Sequence, residues 1–469
     1  MTRTQRLTLL AAIVGTTVVM LDSSVVNVAL PAIERDLGGG LASQQWVSNS
    51  YLLLLGSFIL VGGSLGDLYG ERLVFGVGVG AFGVCSLACA LAPDIGVLIA
   101  ARALQGVAGA LVTPSSLAII VAAFPSDLRG RAIGSWTAWT GIGAVAGPLL
   151  GGWIIDVASW RWVFAINVPL VVATMTLVAL AVPRVTPTAH RRLDLVGAVL
   201  CATGLGGVMA ALIEQPHRGW SSPLIVGLLA AGLGLFAAFV GYERRIPAPM
   251  VKLELFTVRN FTVTNVETFA MYGGLSILFF YLVIFLQQVA GYSALRSGLT
   301  TLPVTILMFL LSSRFGALAT RHGPRLFMAA GPLVAAAGTL WLLRAGLQTS
   351  YLGVVLPALV VFGIGLSITV APLTTTVLAE ADESDAGIAS AINNAVARVA
   401  GLVGIGVVGV LVAHTLVGDS FRRSRDSVHA FHASVVACAV CLVVGGLTGA
   451  AGIQNLQRHT ALADRAASD

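Results

Sequence analysis

Gly63-Ser-Leu-Gly-Asp-Leu-Tyr-Gly-Glu-Arg72 and Gly316-Ala-Leu-Ala-Thr-Arg-His-Gly-Pro-Arg325 are two copies of one pattern. Gly63, Leu65, Gly70 and Arg72 fall on Gly316, Leu318, Gly323 and Arg325 without a gap. At a similar offset downstream, Pro114 meets Pro372 and Gly130 meets Gly387. Each copy joins one long apolar run to the next. The chain therefore reads as a duplicated unit of apolar helices.

Working outward, 57% of the 469 residues are hydrophobic and 10% are charged. A soluble domain covers itself with roughly 25% charged residues, so this chain must place much of its surface in lipid or in helix contacts. A bilayer span needs about 20 apolar residues. Fourteen stretches qualify, centred near Val18, Leu55, Gly83, Val112, Gly147, Val172, Gly206, Leu233, Leu275, Met308, Ala335, Gly363, Gly404 and Val443. The first, Leu7 to Leu30, contains Asp22 and has no small-residue cleavage site after it, so it reads as a retained span. The predicted class is an all-α polytopic membrane protein. Residues 1–182 and 261–453 form two six-helix repeats, residues 183–260 a linker with two extra spans, and 454–469 a tail. Two parallel repeats facing a midplane site is a transporter architecture.

Loop arginines and lysine set the orientation. A cytoplasmic N-terminus gathers Arg72, Arg129, Arg131, Arg184, Arg191, Arg192, Arg244, Arg245, Lys252, Arg259, Arg321, Arg325 and both tails on one side. That is roughly twice the total on the other side, where Arg422, Arg423 and Arg425 are the main exception. Both termini are expected in the cytoplasm, in the inner (plasma) membrane.

Several classes are excluded. The net charge of +6 is scattered over short loops, with no aromatic-interleaved basic patch for nucleic acid. Cys85, Cys89, Cys201, Cys438 and Cys441 lie in apolar runs without ligand companions, so no metal is expected. There is no Gly-x4-Gly-Lys-Ser/Thr loop, no His-Glu-x-x-His and no Gly-x-Ser-x-Gly. The chain reads as no enzyme, with no cofactor and no obligate protein partner; its partners are a small-molecule substrate, protons and lipid.

Four stretches carry chemistry. In Leu21-Asp-Ser-Ser-Val-Val-Asn-Val-Ala-Leu-Pro31, Asp22 is an acid deep in the first span. An unpaired charge there costs at least ~2.5–3.5 kcal/mol. Such an acid either exchanges protons in a cavity or makes a structural hydrogen bond to a neighbouring helix. Asn27 suits interhelical bonding or a cavity wall. In the loop at Gly63–Arg72, the glycines allow a tight turn and Asp67 can face the positive end of a helix, the one starting near Ala386. In Arg102-Ala-Leu-Gln-Gly-Val-Ala-Gly-Ala110, Arg102 needs an acceptor, and Asp22 is the best candidate; the other reading is an arginine snorkelling to the interface. Finally, Gly134, Gly143, Gly147, Pro148, Gly151 and Gly152 form a smooth helix face with a kink at the proline.

On these residues the chain resembles the major facilitator superfamily, specifically its fourteen-helix drug:proton antiporter branch, over nearly its whole length. The resemblance implies alternating access and proton-coupled efflux of small hydrophobic or amphipathic compounds. It implies proton coupling through Asp22 and Arg102, gating by Asp67, Gly70, Arg72 and Arg131, and an antiporter role for the six-residue Gly134–Gly152 pattern. The loop departs from the family with Leu68 and Glu71, where basic residues are usual.

Glu267 is the other acid inside a span and either carries a second proton, binds a cationic substrate or sits at the inner interface. Tyr51, Gln287, Asn393 and Arg398 are candidates for a substrate cavity, while interface belts and helix contacts explain such residues as well. The competing transport reading is a dedicated exporter of one metabolite, natural product or lipid-like molecule. Few intramembrane acids leave neutral or monocationic substrates in view.

Overall fold

The computed structural model describes residues 1–183, 193–247, 249–380, 386–416 and 418–455. Arg184, Arg191, Arg192 and the tail from residue 456, used above for orientation, lie outside the described residues. The helices are α1 (Arg3–Leu37), α2 (Gly40–Tyr69), α3 (Glu71–Ala90), α4 (Ile95–Ala123), α5 (Ser126–Val157), α6 (Arg161–Ala165), α7 (Asn167–Ala181), α8 (Leu195–Arg218) and α9 (Pro223–Glu243). They continue as α10 (Arg259–Ile284), α11 (Ala294–Leu299), α12 (Leu302–His322), α13 (Arg325–Trp341), α14 (Leu356–Ala379), α15 (Ala386–Ala413) and α16 (Arg425–Gly452). Among the described residues, fourteen helical stretches are long and apolar enough to cross a membrane; α6 with α7 forms one, and α11 with α12 another. Only helices and closed barrels satisfy every backbone group in lipid, and this apolar chain takes the helical route.

Local chemistry explains where the helices begin and turn. Thr2 and Gln5 form a reciprocal cap at the start of α1. Asp94 caps α4 through the N–H of Val97, and Asp194 caps α8 through that of Gly197. The repeated motif shows its physics at two positions. Gly70 and Gly323 have φ of 88° and 86°, left-handed values that a side chain would strain, and each turns one helix into the next. Two residues on, Arg72 donates to the carbonyls of Ala179 and Val182 at the end of α7, and Arg325 donates to the carbonyl of Ala450 at the end of α16. In both copies a guanidinium satisfies the orphan carbonyls and negative dipole of a helix C-terminus.

The chain divides into two compact units whose borders cross the repeats. The first unit contains residues 1–251, 279–299 and 405–430; the second contains 252–278, 300–404 and 431–469. In the first unit, α1 packs on α4, α5 and α7, while α2 packs on α4 and α8. The inserted helices α8 and α9 form a tight pair through Gly204 and Gly232. The same unit takes in the ends of α10 and α15, because Gln45 donates to the Tyr281 hydroxyl (3.2 Å) and to the Ile405 carbonyl (2.9 Å). In the second unit, α13 and α14 pack through Gly331, Gly338 and Gly365.

Candidate functional site

Asp22 sits midway along α1 and is fully buried. Its Oδ2 accepts from Arg102 of α4 at 2.5 Å. Its Oδ1 accepts from Gln105 Nε2 at 3.0 Å and from Asn167 Nδ2 at 2.9 Å. Arg102 is 1% exposed, gives further bonds to Gln105 Oε1 (2.6 Å) and the Val47 carbonyl (3.3 Å), and lies 4.2 Å over the Tyr51 ring. Ser86 of α3 accepts from both amides, at 2.8 Å from Gln105 and 3.3 Å from Asn167. Three helices, α1, α4 and α7, thus meet at one carboxylate, and α2 and α3 join through its partners.

A buried ion pair is weak evidence for stability, because desolvating two charges offsets much of their attraction. Here Gln105 and Asn167 also donate to Asp22, and Arg102 also bonds Gln105 and Val47, which makes the burial tolerable. Every contact to Asp22 comes from a donor, so the arrangement fits the ionised carboxylate. Desolvation favours the protonated form of an acid, and an adjacent cation favours the charged form.

The glycine pattern of α5 lies directly on this helix. A Cβ at Gly143 would collide with Thr17, one at Gly147 with Ser24, and one at Gly151 would stand 2.7 Å from Val25 Cγ1. On its other side, Gly152 meets the Ala294–Leu295 backbone of α11, and Gly298 of α11 meets the Pro148 carbonyl. Gly134 is exposed with open space around it. Asp156, one turn beyond Gly152, accepts the backbone N–H groups of Ala294 and Leu295 at 3.0 Å each. At the same end, Glu34 accepts from Ser420 (2.7 Å) and Gln288 (3.2 Å), and Gln287 donates to the Val28 carbonyl (2.9 Å) and to Ser297 (3.0 Å). Small residues at this spacing let backbones approach and set the packing in lipid. Gly147→Leu is expected to cost roughly 1–3 kcal/mol through overpacking, lower the thermal unfolding temperature, and slow transport or open a leak. Wild-type unfolding together with a normal, tight transport rate would leave the glycine without this role.

The other candidates separate by place. Asn27 is half-buried and accepts from Ser48 at 3.5 Å. Tyr51 is buried beneath Arg102. Arg131 is exposed on α5, and Asp67 lies in the last turn of α2. Residues 381–385, which lead into the helix expected opposite Asp67, lie outside the described residues. In the second unit, Asn393 donates to Asn265 (3.1 Å) and Thr268 (2.8 Å), tying α15 to α10, and Arg398 is half-buried further along α15. Glu267 of α10 is fully buried against Gly449 of α16, and neither carboxyl oxygen has a hydrogen-bond partner among the described residues. The structure thus brings Asp22, Arg102 and Tyr51 together with three residues that the sequence did not single out: Ser86, Gln105 and Asn167. Gln105 stands one helical turn from Arg102, which is the signal that was available.

The sequence profile of the Major Facilitator Superfamily matches residues 12–405. The chain belongs to this superfamily. As a major facilitator protein it is a multi-pass membrane transporter and not an enzyme. It is 38% identical to the multidrug resistance protein Stp of Mycobacterium tuberculosis over 88% of this chain and 77% of that one. It is 35% identical to the tetracenomycin C resistance and export protein of Streptomyces glaucescens, with the same coverage. Among solved structures, a bacterial homologue of the human lysosomal transporter Spinster, inward-facing and occupied, shares the fold at a TM-score of 0.71 and 16% identity, over 96% of this chain and 97% of that one.

Proposed function

We propose that this major facilitator exports small hydrophobic or amphipathic, drug-like compounds in exchange for protons, and thereby confers antibiotic resistance. The observation that carries the reading is the buried Asp22–Arg102 pair on a helix, α1, whose Thr17, Ser24 and Val25 rest on the antiporter glycine face of α5. In this reading the carboxylate beside Arg102 carries the proton, and its affinity changes as the helices bearing the two groups move. The export assignment is supported by relatives named for multidrug resistance and for tetracenomycin C export.

The cycle proceeds by alternating access of the halves 1–182 and 261–453, with 183–260 as linker and both termini cytoplasmic. Substrate enters from the cytoplasm or inner leaflet while Asp22 is ionised. Protonation of Asp22, with Glu267 as a second carrier, accompanies release on the other side. Asp67, Gly70, Arg72 and Arg131 form the cytoplasmic gate. Asn27, Tyr51, Gln287, Asn393 and Arg398 are the proposed cavity residues. A second reading, a dedicated exporter of one natural product, is favoured by relatives named for a single compound.

The test is transport by purified protein in proteoliposomes, against a panel of dyes, antibiotics and lipids, with and without a pH gradient. Proton flux coupled to several dyes is expected. Transport of one narrow ligand selects the second reading, and transport indifferent to the gradient removes the proton.

A further inference from the structure

We propose that Asn167 is a positioning residue whose amide rotates with the protonation of Asp22, so that one side chain stabilises both charge states of the acid. The inference rests on Asp22 being the proton carrier, and it assigns a role to a residue outside the sequence motifs.

The geometry separates the two amides at Asp22. Gln105 is locked. Its Nε2 donates to Asp22 and Ser86, while its Oε1 accepts from Arg102 at 2.6 Å and from the Cys89 thiol at 3.7 Å. Turning it over would set an N–H against the guanidinium. Asn167 has no such lock. Its Nδ2 donates to Asp22 Oδ1 and Ser86 Oγ, yet its Oδ1 is buried without a hydrogen-bond partner among the described residues. An unmade bond at a fully buried carbonyl oxygen is destabilising. An ionised carboxylate only accepts, so the atom facing it must be the nitrogen.

Protonation reverses that requirement. A proton delivered as hydronium forms an O–H bond at Asp22 Oδ1, releasing water and leaving a neutral carboxyl, while Arg102 keeps its charge. Rotation of the Asn167 side chain then presents Oδ1 to the new O–H and to the hydroxyl of Ser86. No covalent bond of Asn167 breaks. The oxygen gains its donors only in the protonated state, while Nδ2 takes over the position without a partner, so the turn is favoured only when Asp22 carries the proton and amide orientation is linked to proton occupancy. The groups packed around Asp22 fit this division of labour. Arg102 on α4 supplies fixed charge, and Tyr51 on α2 lies under that charge. Cys89 on α3 bonds Gln105, α5 presents Gly147, and α7 presents Asn167 itself.

Infrared difference spectra of the purified full chain between alkaline and acid pH test this. Acidification is expected to produce a carboxylic C=O band that Asp22→Asn removes, with a change in an asparagine side-chain amide band at the same pH. Asn167→Leu should abolish the amide change and move the acid band to higher wavenumber, because the O–H has lost its acceptor. Asn167→Ser should also abolish the amide change yet keep the acid band near its wild-type position, since a hydroxyl both donates and accepts. The serine variant decides the matter even where leucine prevents folding. An amide change that persists in Asn167→Ser, or an acid band unmoved in Asn167→Leu, overturns the switch and leaves Asp22 as carrier. If no titrating band depends on Asp22, the switch and the carrier fall together.

Discussion

Asp22→Asn is expected to insert into the membrane and lose proton-driven efflux, by about 10²-fold or more where the proton step is obligatory. Asparagine keeps the size of the side chain and one acceptor oxygen. It cannot take up and release a proton. The variant also leaves Arg102 buried without a counter-charge, and its new amide faces the donors of Gln105 or Asn167. Two measurements separate these effects. Uphill efflux against a substrate gradient in proteoliposomes reports coupling, and downhill exchange reports whether the scaffold still rocks. The expected pattern is loss of the first with survival of part of the second. Undiminished uphill efflux would remove Asp22 from the mechanism.

The fold was largely legible because lipid imposes a simple rule. Fourteen apolar stretches could be counted, and the described residues contain fourteen helical stretches of the required length and composition. The repeat was legible at its glycines and arginines, and its physical content is now visible: Gly70 and Gly323 turn the chain, while Arg72 and Arg325 cap α7 and α16. That Arg102 requires an acceptor follows from its apolar neighbours, and Asp22 was a short list of one in the first half of the chain.

What stayed hidden depends on neighbours distant in sequence. Ser86, Gln105 and Asn167 are residue types found throughout membrane helices as interhelical bonds; apart from the one-turn spacing of Gln105 from Arg102, nothing local marks them as the ones that converge. The glycine spacing of α5 predicts a smooth face but not what rests on it; the structure supplies α1 on one side and α11 on the other. Asp156 escaped for a related reason. Its partners are backbone N–H groups of α11, and backbone leaves no residue signature to read.

Arg102 is where stability and coupling are hardest to separate, and a graded series separates them. Arg102→Ala strands the Asp22 carboxylate with only two amide donors, and breaking a buried pair from one side costs about 3–5 kcal/mol. It also removes the bond to the Val47 carbonyl and the cation over Tyr51. The expected result is a marked drop in thermal stability at neutral pH together with loss of uphill efflux. Arg102→Lys restores a charge that reaches Asp22, but a lysine has no planar fork to serve Asp22, Gln105 and Val47 together. It should recover most of the stability and only part of the coupling. The Asp22→Asn/Arg102→Ala pair closes the cycle: with neither charge present, the double variant should be no less stable than Arg102→Ala alone, because the stranded carboxylate is gone. That comparison isolates the charge from the packing. A stable, fully coupled Arg102→Ala protein would show that the guanidinium is no more than a bystander to the acid.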